Sequence, residues 1–324
     1  MVPNTPLRFL PVFRSYIWGG TRLAAALGKH VPTDGIWAES WEIVDHGADQ
    51  SVVADGDWSE WTLRQLVESF PDEILGSKAS EMGSFPLLLK YLDCQRVLSV
   101  QVHPEDNYGK KMTPPDLGKT EAWYVVDAAP DAKIYAGLKA GVDREQLAEA
   151  IAEGKTEECL HVIQPSAGDC VFIPAGTVHA LGDGLLIAEI QQASDTTFRL
   201  FDWNRVDADG KPRPLHIQQA LDVIDYKTGP VQKSQPRATK TAGLSTLVEC
   251  DKFHLQKLES TQPYAVPNDN RFRIVTFPKG SGQVRTADGS ITLGLGESIL
   301  LPAERLETSI QLDPDSASLI MFLP

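Results

Sequence analysis

Gly168-Asp169-Cys170-Val171-Phe172-Ile173-Pro174-Ala175-Gly176-Thr177-Val178-His179 is the stretch on which the fold turns. Val171, Phe172 and Ile173 are β-branched or aromatic and favour a strand, and Gly168-Asp169 before them is a turn signal. Pro174-Ala175-Gly176 then punctuates the run and reverses it, because proline presets φ and glycine accepts conformations that other residues avoid. His179 falls just beyond the turn, at the start of the returning strand. The local prediction is strand, tight turn, strand, with one imidazole at the far side of the turn.

The same unit occurs a second time. Gly296-Glu-Ser-Ile-Leu-Leu-Pro302-Ala303 repeats the spacing and apolar pattern of Gly168 through Ala175, then runs on as Glu304-Arg305-Leu306-Glu307-Thr308 with neither glycine nor histidine. Gly, five residues, Pro, one residue, Gly, two residues, His resembles the second signature motif of the cupin family. That resemblance implies a small antiparallel β-barrel, a jelly roll, in which the histidine points inward and binds a metal. The expected fold class is mainly β: a cupin-type barrel with a few helices, plus a second, smaller, metal-free cupin-like β domain that keeps the turn and lacks the ligand. The expected domains are 1–235, catalytic with helical additions, and 236–324, a degenerate cupin-like β domain.

A chain of 324 residues is long for one average domain, which agrees with two. With 42% hydrophobic and 23% charged residues it can bury an ordinary core. The net charge of −14 argues against nucleic acid as a partner, since phosphate backbones need basic surface. A small anionic substrate needs only two or three local cations. Cys94, Cys159, Cys170 and Cys250 are scattered with no CxxC pair, which points to reduced thiols in a cytoplasmic protein. The N-terminus has no signal-peptide pattern, and no apolar run approaches membrane-spanning length.

Along the chain, Ala38 to Val44 has the look of a strand, and Leu63, Leu66, Val67 and Phe70 give helical spacing over 62–70. Phe85 to Tyr91 is a continuous apolar run, and Leu98-Ser-Val-Gln-Val-His103 alternates. In that alternation Gln101 and His103 share one face and Val100 and Val102 the other. Further strands are expected over 121–126, 133–138, 161–163, 185–191 and 196–202. Asp143 caps a helix over 144–152 that stops at Gly154, and another short helix is expected over 216–225. Residues 227–242 have the composition of a linker.

A metal held without thiolates needs imidazole and carboxylate ligands on rigid strands facing one cavity. Gln101, His103, Glu121 and His179 are the candidates: one amide oxygen, two imidazoles and a carboxylate, with a position left for water or substrate. His30, His46, His161, His216 and His254 stand in no such context and are assigned structural or surface roles.

Phe85-Pro-Leu-Leu-Leu-Lys-Tyr-Leu-Asp93, Leu98-Ser-Val-Gln-Val-His-Pro104 and Gly118-Lys-Thr-Glu-Ala-Trp-Tyr124 resemble the type I phosphomannose isomerases in their short bacterial form. Trp18-Gly19-Gly20 and Ala38-Glu39-Ser40-Trp41-Glu42 belong to the same likeness, which runs from about residue 7 to residue 225. The resemblance implies one zinc ion per chain bound by Gln101, His103, Glu121 and His179. It implies interconversion of mannose 6-phosphate and fructose 6-phosphate through a cis-enediol. Ala193-Ser194-Asp195-Thr-Thr-Phe-Arg199 resembles the family's catalytic segment. There Arg199 supports developing negative charge, and Asp195 orients Arg199 or joins the proton transfer. Lys119 matches a family lysine near the substrate, as phosphate ligand or acid/base partner. Ser99 and Arg205 are weaker phosphate candidates. The base is open among a zinc-bound hydroxide, Lys119, Asp195 and His103.

Two other readings compete. An iron or manganese oxygenase would share the fold, but such sites usually carry three or more histidines and these motifs offer two. A non-catalytic sugar-phosphate-binding module would be expected to have lost some of the four ligands, Lys119 or Arg199, all of which are present.

Overall fold

The computed structural model describes residues 2–206 and 210–324. Strands dominate, the pairings are antiparallel, and helices are short and few. The chain divides into two compact units: Met1–Arg14, Thr21–Tyr91 and Gln235–Pro324 in one, Ser15–Gly20 and Leu92–Ser234 in the other. This differs from the expected division at 235/236. The cut near 235 is common to both, but the N-terminal segment through residue 91 groups with the C-terminal third. Strand pairing gives the reason: Leu7–Leu10 lies between Ser298–Leu301 and Val52–Val53, with Leu7 opposite Leu300 and Phe9 opposite Val53. Such a long-range partnership leaves no local trace in sequence.

In the unit that holds the N- and C-terminal segments, the repeated motif forms the strand Ser298–Leu301 after Gly296, whose φ is +79°. The returning strand is Thr308–Leu312. Between them and their neighbours lies an apolar core that includes Phe277, Ile299, Leu301, Ile310, Leu312 and Ile320. The stretch of linker composition is more ordered than expected. Arg237–Ala238 pairs with Leu244–Glu249 as an edge strand. In the other unit, Val231 and Ser234 donate main-chain hydrogen bonds to the carbonyls of Ala136 and Cys170.

The second unit contains a five-stranded sheet in the order Leu160–Ile163, Ile134–Leu138, His179–Leu181, Val100–Val102, Phe198–Phe201. Its other sheet component sets Glu121–Ala128 between Cys170–Ile173 and Leu185–Gln192. The alternation expected of 98–103 is realised. Val100 and Val102 are fully buried in an apolar cluster with Phe198, Leu200 and Val178. That face is covered by the helices Arg144–Ala152 and Ile217–Val223 through Leu147, Ala220 and Leu221. The first of these helices is capped as predicted. The Asp143 side chain accepts from the Gln146 amide at 2.9 Å, and the Gln146 side chain accepts from the Asp143 amide at 3.1 Å. Burying roughly one large aliphatic side chain contributes about 1.5–3 kcal/mol, so the covered face anchors the sheet and leaves its opposite face for polar residues.

Candidate metal centre

The polar face is built by register. Gln101 lies opposite His179 on one neighbouring strand and opposite Arg199 on the other. Directly opposed residues of antiparallel strands project to the same side, so His179, Gln101 and Arg199 form one lateral row. Glu121 opens a strand of the other sheet component, opposite Ile173 and Gln191. His103 follows the strand Val100–Val102, and its carbonyl accepts the Gly176 amide at 2.8 Å. Gly176 has a φ of +84°, and Thr177 N–H bonds the Pro174 carbonyl at 3.1 Å, a turn that needs glycine at its third position. The turn that reverses the motif is therefore also tied to His103.

His103, Glu121 and His179 are each about 1% exposed. One ligand atom from each lies within 4.8 Å of the others. His179 Nε2 is 3.3 Å from Glu121 Oε1, and His103 Nε2 is 3.5 Å from Glu121 Oε2. Each imidazole is oriented from behind. His103 Nδ1 donates to the Thr196 carbonyl at 2.8 Å and His179 Nδ1 to the Thr177 carbonyl at 2.8 Å. A carbonyl can only accept, so both rings carry a proton on Nδ1 and turn Nε2 towards Glu121. Burial drives the His179 pKa down to about 4, which keeps that ring neutral.

Two imidazoles and a carboxylate converging in this way fit a divalent cation. Bonds of about 2.0 Å in a tetrahedral site separate the donors by roughly 3.3 Å; the nitrogen–oxygen separations, one to each oxygen of Glu121, are 3.3 and 3.5 Å. Gln101 is beside them, with its Nε2 3.3 Å from His179 Nε2 and its Oε1 accepting from Ser99 Oγ at 3.3 Å. Its amide nitrogen, not the expected oxygen, faces the centre; a half-turn of the amide exchanges the two atoms.

Among known proteins, residues 7–136 match the model of the phosphomannose isomerase type I catalytic domain. The chain is 37% identical to the mannose-6-phosphate isomerase ManA of Bacillus subtilis, over 92% of this chain and 93% of that protein. It is 35% identical to the mannose-6-phosphate isomerase of Streptococcus mutans, over 92% of each. The crystal structure of the B. subtilis mannose 6-phosphate isomerase superposes with a TM-score of 0.89 at 32% identity, covering 98% of this chain and 99% of that one. The chain belongs to the type I phosphomannose isomerase family.

Within this family member, the residues singled out from sequence do not all converge. Lys119 does, and at the metal end. Its Nζ, 5% exposed, lies 2.9 Å from Glu121 Oε2 and 3.1 Å from His103 Nε2. Glu189 was missed. Its Oε1 is 3.8 Å from Lys119 Nζ and its Oε2 accepts from Trp123 Nε1 at 3.0 Å. Alternation along Leu185–Gln192 was the signal available, since a carboxylate between buried apolar residues of a strand needs a partner. Arg199 is half-buried, and its Nη1 donates to the Pro214 carbonyl at 3.1 Å. His216, assigned a structural or surface role, touches the same segment: its Nδ1 accepts from the Arg199 amide at 3.3 Å.

Asp195 is exposed, and among the described residues no hydrogen bond or ion pair joins it to Arg199. A four-residue spacing brings side chains together on a helix, whereas extended chain separates them by about 13 Å. The carboxylate whose charge acts on Arg199 is Asp202.

The depressed pKa of His179 sets a pH dependence for the metal-free protein. The unfolded chain takes up this proton near pH 6.5, whereas the folded chain resists until about pH 4. Stability is therefore full above pH 6.5 and falls as pH drops towards 4, by up to about 3 kcal/mol. Denaturant titrations of metal-free protein between pH 7 and pH 4 test this, and a His179→Asn variant should flatten the profile.

Proposed function

We propose that this chain is a zinc-dependent mannose-6-phosphate isomerase. It would interconvert mannose 6-phosphate and fructose 6-phosphate by moving a proton between C2 and C1 through a cis-enediol. The observation that carries this reading is the pair of buried imidazoles, each tied at Nδ1 to a main-chain carbonyl and turned at Nε2 onto Glu121, in a member of this family. His103, Glu121 and His179 would hold the metal, with Gln101 as fourth ligand through its oxygen. Zinc has no redox chemistry, which suits an isomerisation with no net oxidation, and when bound it would polarise the two substrate oxygens that flank the migrating proton.

The remaining work falls to side chains. Lys119 carries protons at the metal end of the site, beside Glu121 and His103, and is assigned the acid/base role rather than phosphate binding. Glu189 and Glu121 together balance its buried charge. Arg199, next to Gln101 in the lateral row, opposes the negative charge that develops on the enediolate oxygens. The walls of the site come from a cupin barrel, and the unit that holds the N- and C-terminal segments is read as a cupin-like domain whose core is apolar. Four free cysteines and the absence, among the described residues, of a helix long and apolar enough to cross a membrane agree with a cytoplasmic setting.

A coupled assay for fructose 6-phosphate, run with and without a chelator, tests the reading. Turnover should vanish on chelation and return with added zinc. Dioxygen uptake with bound iron and no ketose formation would sink it in favour of an oxygenase.

A further inference from the structure

Beyond the metal row, the strand Phe198–Phe201 runs into a cluster of three guanidinium groups around one carboxylate. Trp203 and Asn204 both have positive φ, 57° and 54°, and the Arg205 amide bonds the Asp202 carbonyl at 3.0 Å, so residues 202–205 form a tight turn. Left-handed backbone at a tryptophan costs about 1 kcal/mol or more and persists where the surroundings hold it. Here the Trp203 indole is held by the Leu98 carbonyl at 2.7 Å. The turn folds Arg205 back onto Asp202. Arg213 reaches the same carboxylate from the following segment through Nε at 2.8 Å and Nη2 at 2.6 Å.

The donors of the three arginines are spent differently. Arg205 uses all of its nitrogens inside the protein: Nη2 on Asp202 Oδ1, Nε on the Asp202 carbonyl and Nη1 on the Val97 carbonyl. Arg213 spends two on Asp202 and keeps Nη1 without a hydrogen bond among the described residues. Arg199 spends Nη1 on Pro214, the residue after Arg213, while its buried Nε has no partner among the described residues. Arg213 is also the more open of the two residues on Asp202, at 28% side-chain exposure against 17% for Arg205. Three cations against one carboxylate is a marked local excess in a chain of net charge −14.

We infer that Arg213 binds the phosphate of the substrate, with Asp202 and Arg205 as the frame that positions it beside Arg199. The inference rests on the proposed isomerase activity and adds the specificity-determining residue for the substrate's charged end. The order of groups supports it. His179, Gln101 and Arg199 are consecutive across the sheet, and Arg213 lies past Arg199, so a hexose with C1 and C2 at the metal end directs C6 towards Arg213. After burial, the Arg213 charge is the largest influence lowering the Arg199 pKa, as expected of two guanidiniums on neighbouring stretches of one site. A guanidinium braced on two nitrogens offers the third in a fixed direction, which favours a tetrahedral oxyanion over water.

The probe is inorganic phosphate, used as a competitive inhibitor of the zinc-loaded, full-length enzyme. Arg213→Gln should raise the phosphate inhibition constant roughly 10-fold to 100-fold, and should lower kcat/KM for mannose 6-phosphate mainly through KM. Zinc content should be unchanged. Arg213→Lys, which restores the charge without the fork, should recover part of the loss. An inhibition constant within twofold of wild type in Arg213→Gln overturns the inference, even if isomerase activity is intact. Absence of ketose formation by the wild-type enzyme would instead overturn the isomerase reading. A measurement on the unaltered protein covers the case in which the variant does not fold. Phosphate should protect Arg213 from phenylglyoxal, read by peptide mass mapping, and unchanged modification of Arg213 in saturating phosphate also overturns the inference.

Discussion

Glu121→Gln is expected to remove the metal and to lower kcat/KM by about 10³ or more, because it changes the charge of the centre while leaving its shape nearly intact. Glu121 is the anion on which both Nε2 atoms converge, at 3.3 and 3.5 Å. A neutral amide balances neither a divalent cation nor the Lys119 ammonium, 2.9 Å away. The substitution leaves that buried ammonium with Glu189 at 3.8 Å as its remaining carboxylate partner. Removing one member of a buried ion pair costs about 3–5 kcal/mol, so the melting temperature of the metal-free protein should fall as well. His179→Ala separates the two effects: it should also lose the metal, but without stranding a charge. Metal analysis, the coupled assay and thermal unfolding on both variants check this. Stoichiometric zinc in Glu121→Gln with turnover within tenfold of wild type would refute the assignment.

Arg199→Ala should behave in the opposite way, keeping the metal and losing turnover by about 10²–10³. Arg199 is one strand beyond Gln101 in the lateral row, and its guanidinium is directed to Pro214 and the arginine cluster rather than to the imidazoles. Its charge is needed when the enediolate forms, so the loss should appear in kcat as well as in kcat/KM. Arg199→Lys should restore only part of the rate, because a single ammonium cannot supply two fixed donors. Unchanged turnover in Arg199→Ala would remove Arg199 from the catalytic set.

Both variants change residues that are legible in the sequence. Period-two alternation placed Gln101 and His103 on one face, and the Gly168–His179 motif placed a second imidazole behind a turn. Both are local properties, since strand pleat and turn geometry follow from neighbouring residues. Asp195 shows where that reasoning ends. One of the two roles open to it, orienting Arg199, rests on proximity in sequence, and extended chain carries the two apart. Glu189 was missed for the complementary reason. It lies on a strand expected from its apolar neighbours, and the partner that explains it, Lys119, is 70 residues earlier in the chain. The division into units also differed from expectation, because Leu7–Leu10 takes its place between strands distant in sequence.

By itself, the amino-acid sequence determined the strand–turn–strand units, the helix caps, the family resemblance and the identity of the buried imidazoles and carboxylate, all of which depend on short-range sterics, periodicity or motif spacing. Only the tertiary structure decided which strands became neighbours and which way each polar atom faced. Those choices put Glu189 with Lys119, set Asp195 apart and brought Arg205 and Arg213 onto Asp202 beside Arg199. The physical reason is that pairing register and charge compensation are settled between segments far apart in the chain, where a buried polar group finds its partner only once the fold has closed around it.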